Sequence, residues 1–318
     1  MSKILVTGAN GQLGSELTEE LRRNFGIENV IASDISDPAG INGGGPFEKL
    51  DVLDVKRYSE VIDFHEITQI YHLAALLSAN AEKNVDLAWT LNMDGLLNTL
   101  NLAKEKSIEQ VFWPSSIAVF GPDARKAGTP QQSACNPTTV YGITKMAGEQ
   151  WCAYYHRKYG VDVRSIRYPG LIGYKSLPGG GTTDYAVEIY HQALAGETFT
   201  CFLKQDSALP MMYMSDAVKA TVELMEAPAD EITVRTSYNV SAISFTPAEI
   251  AASIQKKISD FKIVYEPDYR EEIASSWPDS INDDEARRDW KWSPDYDLDR
   301  MTDEILEQLP KVAEKLQH

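Results

Sequence analysis

Tyr141 and Lys145 stand four residues apart in Tyr141-Gly142-Ile143-Thr144-Lys145, a spacing that puts a phenol and an ammonium on one helix face. A free phenol ionises near pH about 10. A neighbouring positive charge stabilises the phenolate, so such a tyrosine can serve as a general base near neutral pH. Alone the pair is weak, because Tyr and Lys share faces of many surface helices by chance. Val111-Phe112-Trp113-Pro114-Ser115-Ser116 adds a hydroxyl, reading as a strand that ends in serines. Strand C-termini line the ligand crevice of a doubly wound sheet. Ser116 there would hydrogen-bond a substrate hydroxyl and hold it at the tyrosine; a turn or cap serine is the alternative.

A phenol base beside a hydroxyl calls for a redox partner, and the first residues supply a place for one. In Lys3-Ile4-Leu5-Val6-Thr7-Gly8-Ala9-Asn10-Gly11-Gln12-Leu13-Gly14 a buried-strand run breaks at Gly8. Apolar residues then recur at helical spacing: Leu13, Leu17, Leu21 and Phe25. Gly8, Gly11 and Gly14 suit a tight turn, close approach to a pyrophosphate and close helix–strand packing, with helix N–H groups facing the phosphates. Ordinary tight turns also use glycine. Asp34 closes a second strand-like run, Asn29 to Asp34, twenty residues after Gly14. A carboxylate there accepts hydrogen bonds from the adenosine ribose and repels a 2′-phosphate, which favours NAD over NADP. The alternative is an aspartate that caps a turn.

The elements that must position these groups alternate through the first half. Strands are predicted at 3–7, 29–34, 47–51, 69–74, 110–115 and 162–168, with helices near 12–25, 55–65, 85–106 and 141–159. This βαβ pattern predicts an α/β fold with a doubly wound parallel Rossmann sheet. After about residue 170 the texture changes. A Gly-rich loop at 178–183 precedes helix-like runs at 185–194, 216–225 and 247–258, and an acidic, aromatic stretch runs from 266 to 303. The expected organisation is an NAD-binding unit at 1–170 and a smaller C-terminal substrate lobe at 171–318, some of whose segments return to the sheet.

With 318 residues and 43% hydrophobic content, the chain can bury a large core. A formal charge of −17 argues against nucleic acid and anionic membranes as partners. No apolar run approaches transmembrane length, and a strand-like run from residue 3 leaves no room for a leader. Cys135, Cys152 and Cys201 form no CxxC pair, so a reducing cytoplasm is expected. The five histidines are scattered, and no metal site is expected.

These motifs, with His72-Leu73-Ala74-Ala75, Asn92 and Tyr168-Pro169-Gly170, run in the order of the extended short-chain dehydrogenase/reductases, which the chain resembles. The resemblance implies Tyr141 as base, Lys145 also on the nicotinamide ribose, and Ser116 as catalytic hydroxyl. It places Asn10, Gln12 and Leu13 with the glycines at the cofactor, and Asp51 and Val52 beside the adenine. Leu73, Ala74 and Ala75 would line the cofactor groove, Tyr168 and Pro169 would lie near the nicotinamide, and Asn92, counted with the cofactor residues, would support the fold or a proton relay.

Gly179-Gly180-Gly181-Thr182-Thr183-Asp184-Tyr185-Ala186 further resembles the substrate loop of short-chain-type L-threonine dehydrogenases, as do Ala75 to Ala79 and the tail around Trp277 and Trp290. That resemblance implies NAD-dependent oxidation of the L-threonine side-chain hydroxyl to 2-amino-3-oxobutyrate. Ser78, Thr182 and backbone N–H groups suit the substrate carboxylate, and Asp184 its ammonium, directly or through water. Alternatively Thr182 and Asp184 cap the helix starting near Tyr185. A homodimer built on helices near 85–106 and 141–159 is also implied. The runner-up activity is a nucleotide-sugar epimerase or dehydratase, which needs basic residues for a diphosphate. From another class, an NAD-sensing module would commonly lack Tyr141 or Lys145.

Overall fold

The computed structural model describes residues 2–38, 44–175 and 181–315, so Gly179 and Gly180 of the glycine-rich loop lie outside the described residues. Among the described residues twelve strands form in chain order: β1 (Ile4–Thr7), β2 (Val30–Asp34), β3 (Phe47–Lys49), β4 (Gln69–His72), β5 (Gln110–Ser116) and β6 (Val163–Tyr168). They continue with β7 (Gly170–Ile172), β8 (Phe199–Cys201), β9 (Leu209–Tyr213), β10 (Tyr238–Asn239), β11 (Ile243–Phe245) and β12 (Ile263–Tyr265). Seven of them make one parallel sheet in the order β10-β6-β5-β4-β1-β2-β3. Strand order reverses between β1 and β4, which opens a ligand crevice at their carboxyl ends.

The alternation in Ile4-Leu5-Val6 shows why the sheet is covered on both sides. Ile4 and Val6 join Leu17 and Leu21 of helix Gln12–Phe25 and Ala217 and Leu224 of helix Met214–Glu226. Leu5 faces the opposite way, with Tyr58, Leu96, Leu100 and Cys152. A third core lies in the second half, around Tyr185, Ile189, Met211, Ile250 and Ile305. There β7, β9 and β11 form a three-stranded sheet and β8 pairs with β12. The return to the main sheet is made by β10, whose Tyr238 and Asn239 pair with Ile166 and Arg167 of β6.

Two predicted elements differ in form. The strand expected at 69–74 stops at His72. Beyond it the Leu73 N–H still bonds the Thr7 carbonyl at 3.1 Å, but the chain turns into the crevice. The helix expected at 85–106 is interrupted by a π-helical turn at Thr90–Asp94, between Val85–Trp89 and Gly95–Glu105. Such turns redirect a side chain without ending the helix. Among the described residues no helix is long and apolar enough to cross a membrane.

Candidate active site

A cavity of about 660 Å³ opens along the carboxyl ends of β1, β2, β4, β5 and β6. At one end it is lined by the turn after β1. Gly8 has φ +70°, a left-handed conformation that favours glycine. A Cβ on Gly14 would overlap the Gly8 carbonyl oxygen and lie 2.9 Å from Ala9 Cα, so only glycine lets helix Gln12–Phe25 begin this close to β1. No side chain caps that helix, and its first turn carries no acid. A helix end of this kind suits an anionic phosphate. Asp34 stands at the neighbouring strand end, accepting from Asn10 N at 3.1 Å and from Ser36 N and Oγ at 3.1 and 2.9 Å. These features fit a dinucleotide on observations of this chain alone.

At the middle of the cavity Ser116, Tyr141 and Lys145 converge from two elements. Helix Val140–Tyr159 starts at Thr139, whose hydroxyl accepts from Gly142 N at 3.1 Å. Any larger residue at Gly142 would overlap the Ala118 carbonyl oxygen. The helix start can therefore lie against the turn that follows Ser116, and Tyr141 reaches the serine. Lys145 is buried, and its Nζ donates to the Pro114 carbonyl at 2.6 Å, 5.4 Å from the Tyr141 ring centre.

The electrostatics depart from the simplest expectation. Burial pushes the Tyr141 phenol up to about 12, against a smaller downward pull from its hydrogen bond with Ser116. Burial also lowers the Lys145 ammonium to about 7, opposed by Cys152 and Glu149. Desolvation therefore outweighs the anticipated phenol–ammonium stabilisation in the protein alone.

At the far end the cavity wall is Ser78, Thr182, Asp184 and Trp277. Asp184 does not cap helix Tyr185–Ala195 with its side chain. Its Oδ2 accepts from Gly181 N at 2.7 Å, which pins the loop that brings Thr182 to the cavity. The helix-capping alternative for Asp184 is thus replaced by a loop-closing role.

The sequence matches the profile of the NAD-dependent epimerase/dehydratase family over residues 4–241. The chain belongs to that family. An uncharacterized epimerase/dehydratase of Staphylococcus aureus is 47% identical over 96% of this chain and 96% of its own length. A solved partial-consensus L-threonine 3-dehydrogenase is 56% identical, covers 97% of this chain and 99% of its own, and superposes with a TM-score of 0.95. The holo form of a GalE-like L-threonine dehydrogenase from Cupriavidus necator is 55% identical, covers 96% and 99%, and has a TM-score of 0.94. As a member of this family the chain is NAD-dependent and of the extended short-chain type.

Within this family member, Gly8, Asn10, Gly11, Gln12, Leu13, Asp34, Asp51, Val52, Leu73, Ala74, Ala75, Tyr168 and Pro169 all line the same cavity. Asn92 differs from its expected cofactor contact. It sits behind the wall, 5% exposed on the π-helical turn, and both its side-chain atoms bond the backbone of Leu76: Leu76 N at 2.7 Å and Leu76 O at 3.1 Å. It also donates to Thr144 Oγ1 at 3.2 Å. One amide thereby fixes the groove loop after β4 against the tyrosine helix. Trp277 and Ile35 were not legible as wall residues. Trp277 arrives because Lys126 Nζ donates to its carbonyl at 2.7 Å and Thr129 N bonds Ser280 O at 3.0 Å. The resemblance of the tail around Trp277 was the signal that pointed toward the substrate side.

Proposed function

We propose that this chain is an L-threonine 3-dehydrogenase, oxidising the C3 hydroxyl to give 2-amino-3-oxobutyrate. The observation that carries this is the convergence of Ser116, Tyr141 and Lys145 with Thr182 and Asp184 in a single cavity whose other end is built for a dinucleotide. Identity of 55–56% to solved L-threonine dehydrogenases supports the choice of substrate. Ser116 orients the substrate hydroxyl, and Tyr141 takes its proton as the C3 carbonyl forms. NAD supplies the hydride acceptor when bound. Ser78 and Thr182 meet the substrate carboxylate, Asp184 its ammonium, and the Trp277 indole covers the methyl side. Asp34 takes the adenosine ribose hydroxyls, and Asp51, Val52 and Ile35 flank the adenine. In this reading residues 1–170 hold the cofactor and 171–318 the substrate, with β10 given back to the sheet.

The runner-up, a nucleotide-sugar enzyme, calls for basic residues at a diphosphate, and the cations of the 171–240 lobe are engaged elsewhere. Lys175, Lys204, Lys219 and Arg235 each pair with a carboxylate (Glu19, Glu271, Asp295 and Asp162), and none lines the cavity. The deciding assay follows NADH absorbance with NAD and L-threonine. Turnover is expected there and is expected to be absent with D-threonine and weak with NADP. Retained NAD binding without L-threonine turnover would sink the substrate assignment.

We also place the protein in the cytoplasm as a homodimer. Its three cysteines are unpaired. Leu87, Trp89, Ile143, Trp151 and Tyr159 are exposed by 39–52% on helices Val85–Trp89 and Val140–Tyr159, an apolar face that a second copy would cover. Sedimentation is expected to give two chains per particle; a monomer refutes the pairing.

A further inference from the structure

Glu149 lies one turn beyond Lys145 and two beyond Tyr141, yet it is not in the cavity wall. Its carboxylate is 2% exposed. Oε1 accepts from Ser115 Oγ at 2.7 Å and from Arg167 Nε at 2.8 Å, while Oε2 accepts from Arg167 Nη2 at 2.7 Å. Arg167 is held in turn by Gln131 O and Asn239 Oδ1, both at 3.1 Å. Its guanidinium lies 5.2 Å from the Phe120 ring centre. The three elements that meet at this carboxylate each carry a neighbour of the site. Ser115 precedes Ser116 on β5, Arg167 precedes Tyr168, the last residue of β6, and the helix itself carries Tyr141 and Lys145.

We infer that Glu149 is a positioning residue for the reaction: it ties the ends of β5 and β6 to the tyrosine helix, and so sets the mutual placement of Ser116, Tyr141 and Lys145. The inference rests on the dehydrogenase reading above. A bidentate carboxylate–guanidinium pair with a third donor uses three of the carboxylate's roughly four acceptor sites. A glutamine at 149 has a single acceptor oxygen and presents an N–H₂ to an arginine donor, so one buried donor loses its partner.

The same carboxylate also bears on Lys145. The titratable groups facing that lysine are Tyr141, Glu149 and Cys152 on its own helix and His72 at the end of β4. Burial drives His72 down to about 3, with Lys145 adding to the effect, and burial pushes the Cys152 thiol up, so both are uncharged at neutral pH. Cys152 and then Glu149 oppose the effect of burial at Lys145, and of the two Glu149 is the one held in an ion pair, with Arg167 at 2.7 Å.

The test is Glu149→Gln as NAD holoenzyme, by crystallography and by L-threonine kinetics against pH. The expected result is a displaced Ser116–Tyr141 pair and a kcat lowered about 10- to 100-fold, with KM and NAD affinity little changed. The limb of the profile on which Lys145 sheds its proton should move to lower pH. Glu149→Asp, which keeps the charge, should restore the limb. A superposable site, or a wild-type kcat and profile, overturns the inference whatever happens to the melting temperature. If the wild type is silent on L-threonine, the substrate reading fails and the crystallographic arm alone decides the positioning role. If Glu149→Gln does not fold, Ser115→Ala removes one tie and leaves the ion pair. Its kcat should then fall severalfold at unchanged KM, and a wild-type kcat overturns the inference.

Discussion

Tyr141→Phe is expected to lower kcat for L-threonine about 10²- to 10⁴-fold, the range for loss of a positioned general base. NAD affinity should stay close to wild type, because the ring remains in the wall and only a hydroxyl is lost. The size of the loss follows from the environment of the phenol. It lines the cavity beside Ser116, with its ionisation pushed up to about 12 by desolvation. A phenylalanine ring leaves no oxygen there to take the proton. Rates from NADH absorbance, with NADH binding by fluorescence, check both halves of the expectation. A variant that turns over normally would mean that Tyr141 is a wall residue and another group takes the proton.

The second large effect belongs to the nucleotide turn. In Gly14→Ala the new Cβ would run into the Gly8 carbonyl oxygen and lie 2.9 Å from Ala9 Cα. Both obstacles are backbone and cannot swing aside like a flexible side chain. The turn or the helix start must move, and the N–H groups facing the phosphates move with it. NAD affinity is expected to fall on the order of 100-fold, the equivalent of about 3 kcal/mol of misfit. Gly173→Ala, outside the cavity lining, is the internal control. Its Cβ would meet Glu16 Oε1 and Met214 Cβ at 3.4 Å, ordinary van der Waals contact. Calorimetric titration of both variants with NAD should rank them in that order, with Gly14→Ala far weaker. Equal affinities would show that the turn tolerates displacement and that the glycine serves helix packing alone.

How far the sequence carried the fold depended on the range of the interactions involved. Strand β1 and helix Gln12–Phe25 were legible because their burial repeats at periods of two and 3.6 within a few residues. The strand at 47–51 was legible as an element; β3 spans Phe47–Lys49 at the edge of the sheet, and Leu50 N still bonds the Asp34 carbonyl at 2.9 Å. The π-helical turn inside the 85–106 run left no periodic trace. It coincides with Asn92 reaching Leu76, which is sixteen residues away in the chain.

The site divides along the same line. By itself the sequence determined the chemistry on offer: a glycine turn at a strand end, a carboxylate at the next strand end, a serine, and a tyrosine with a lysine one helical turn later. Those residues are identified by type and short spacing, and short spacing is imposed by helix and strand geometry before any packing occurs. Only the tertiary structure decided that Trp277 closes the cavity, that Asp184 pins its own loop, and that Asn92 works from behind the wall. It alone raised the Tyr141 phenol and lowered the Lys145 ammonium. Desolvation is a property of everything packed around a group, and the packing partners here come from segments tens to more than a hundred residues apart. Glu149 marks the limit most clearly. Its place on the tyrosine face is local, but its meaning as a junction of β5, β6 and the helix exists only once the parallel sheet brings Ser115 and Arg167 side by side.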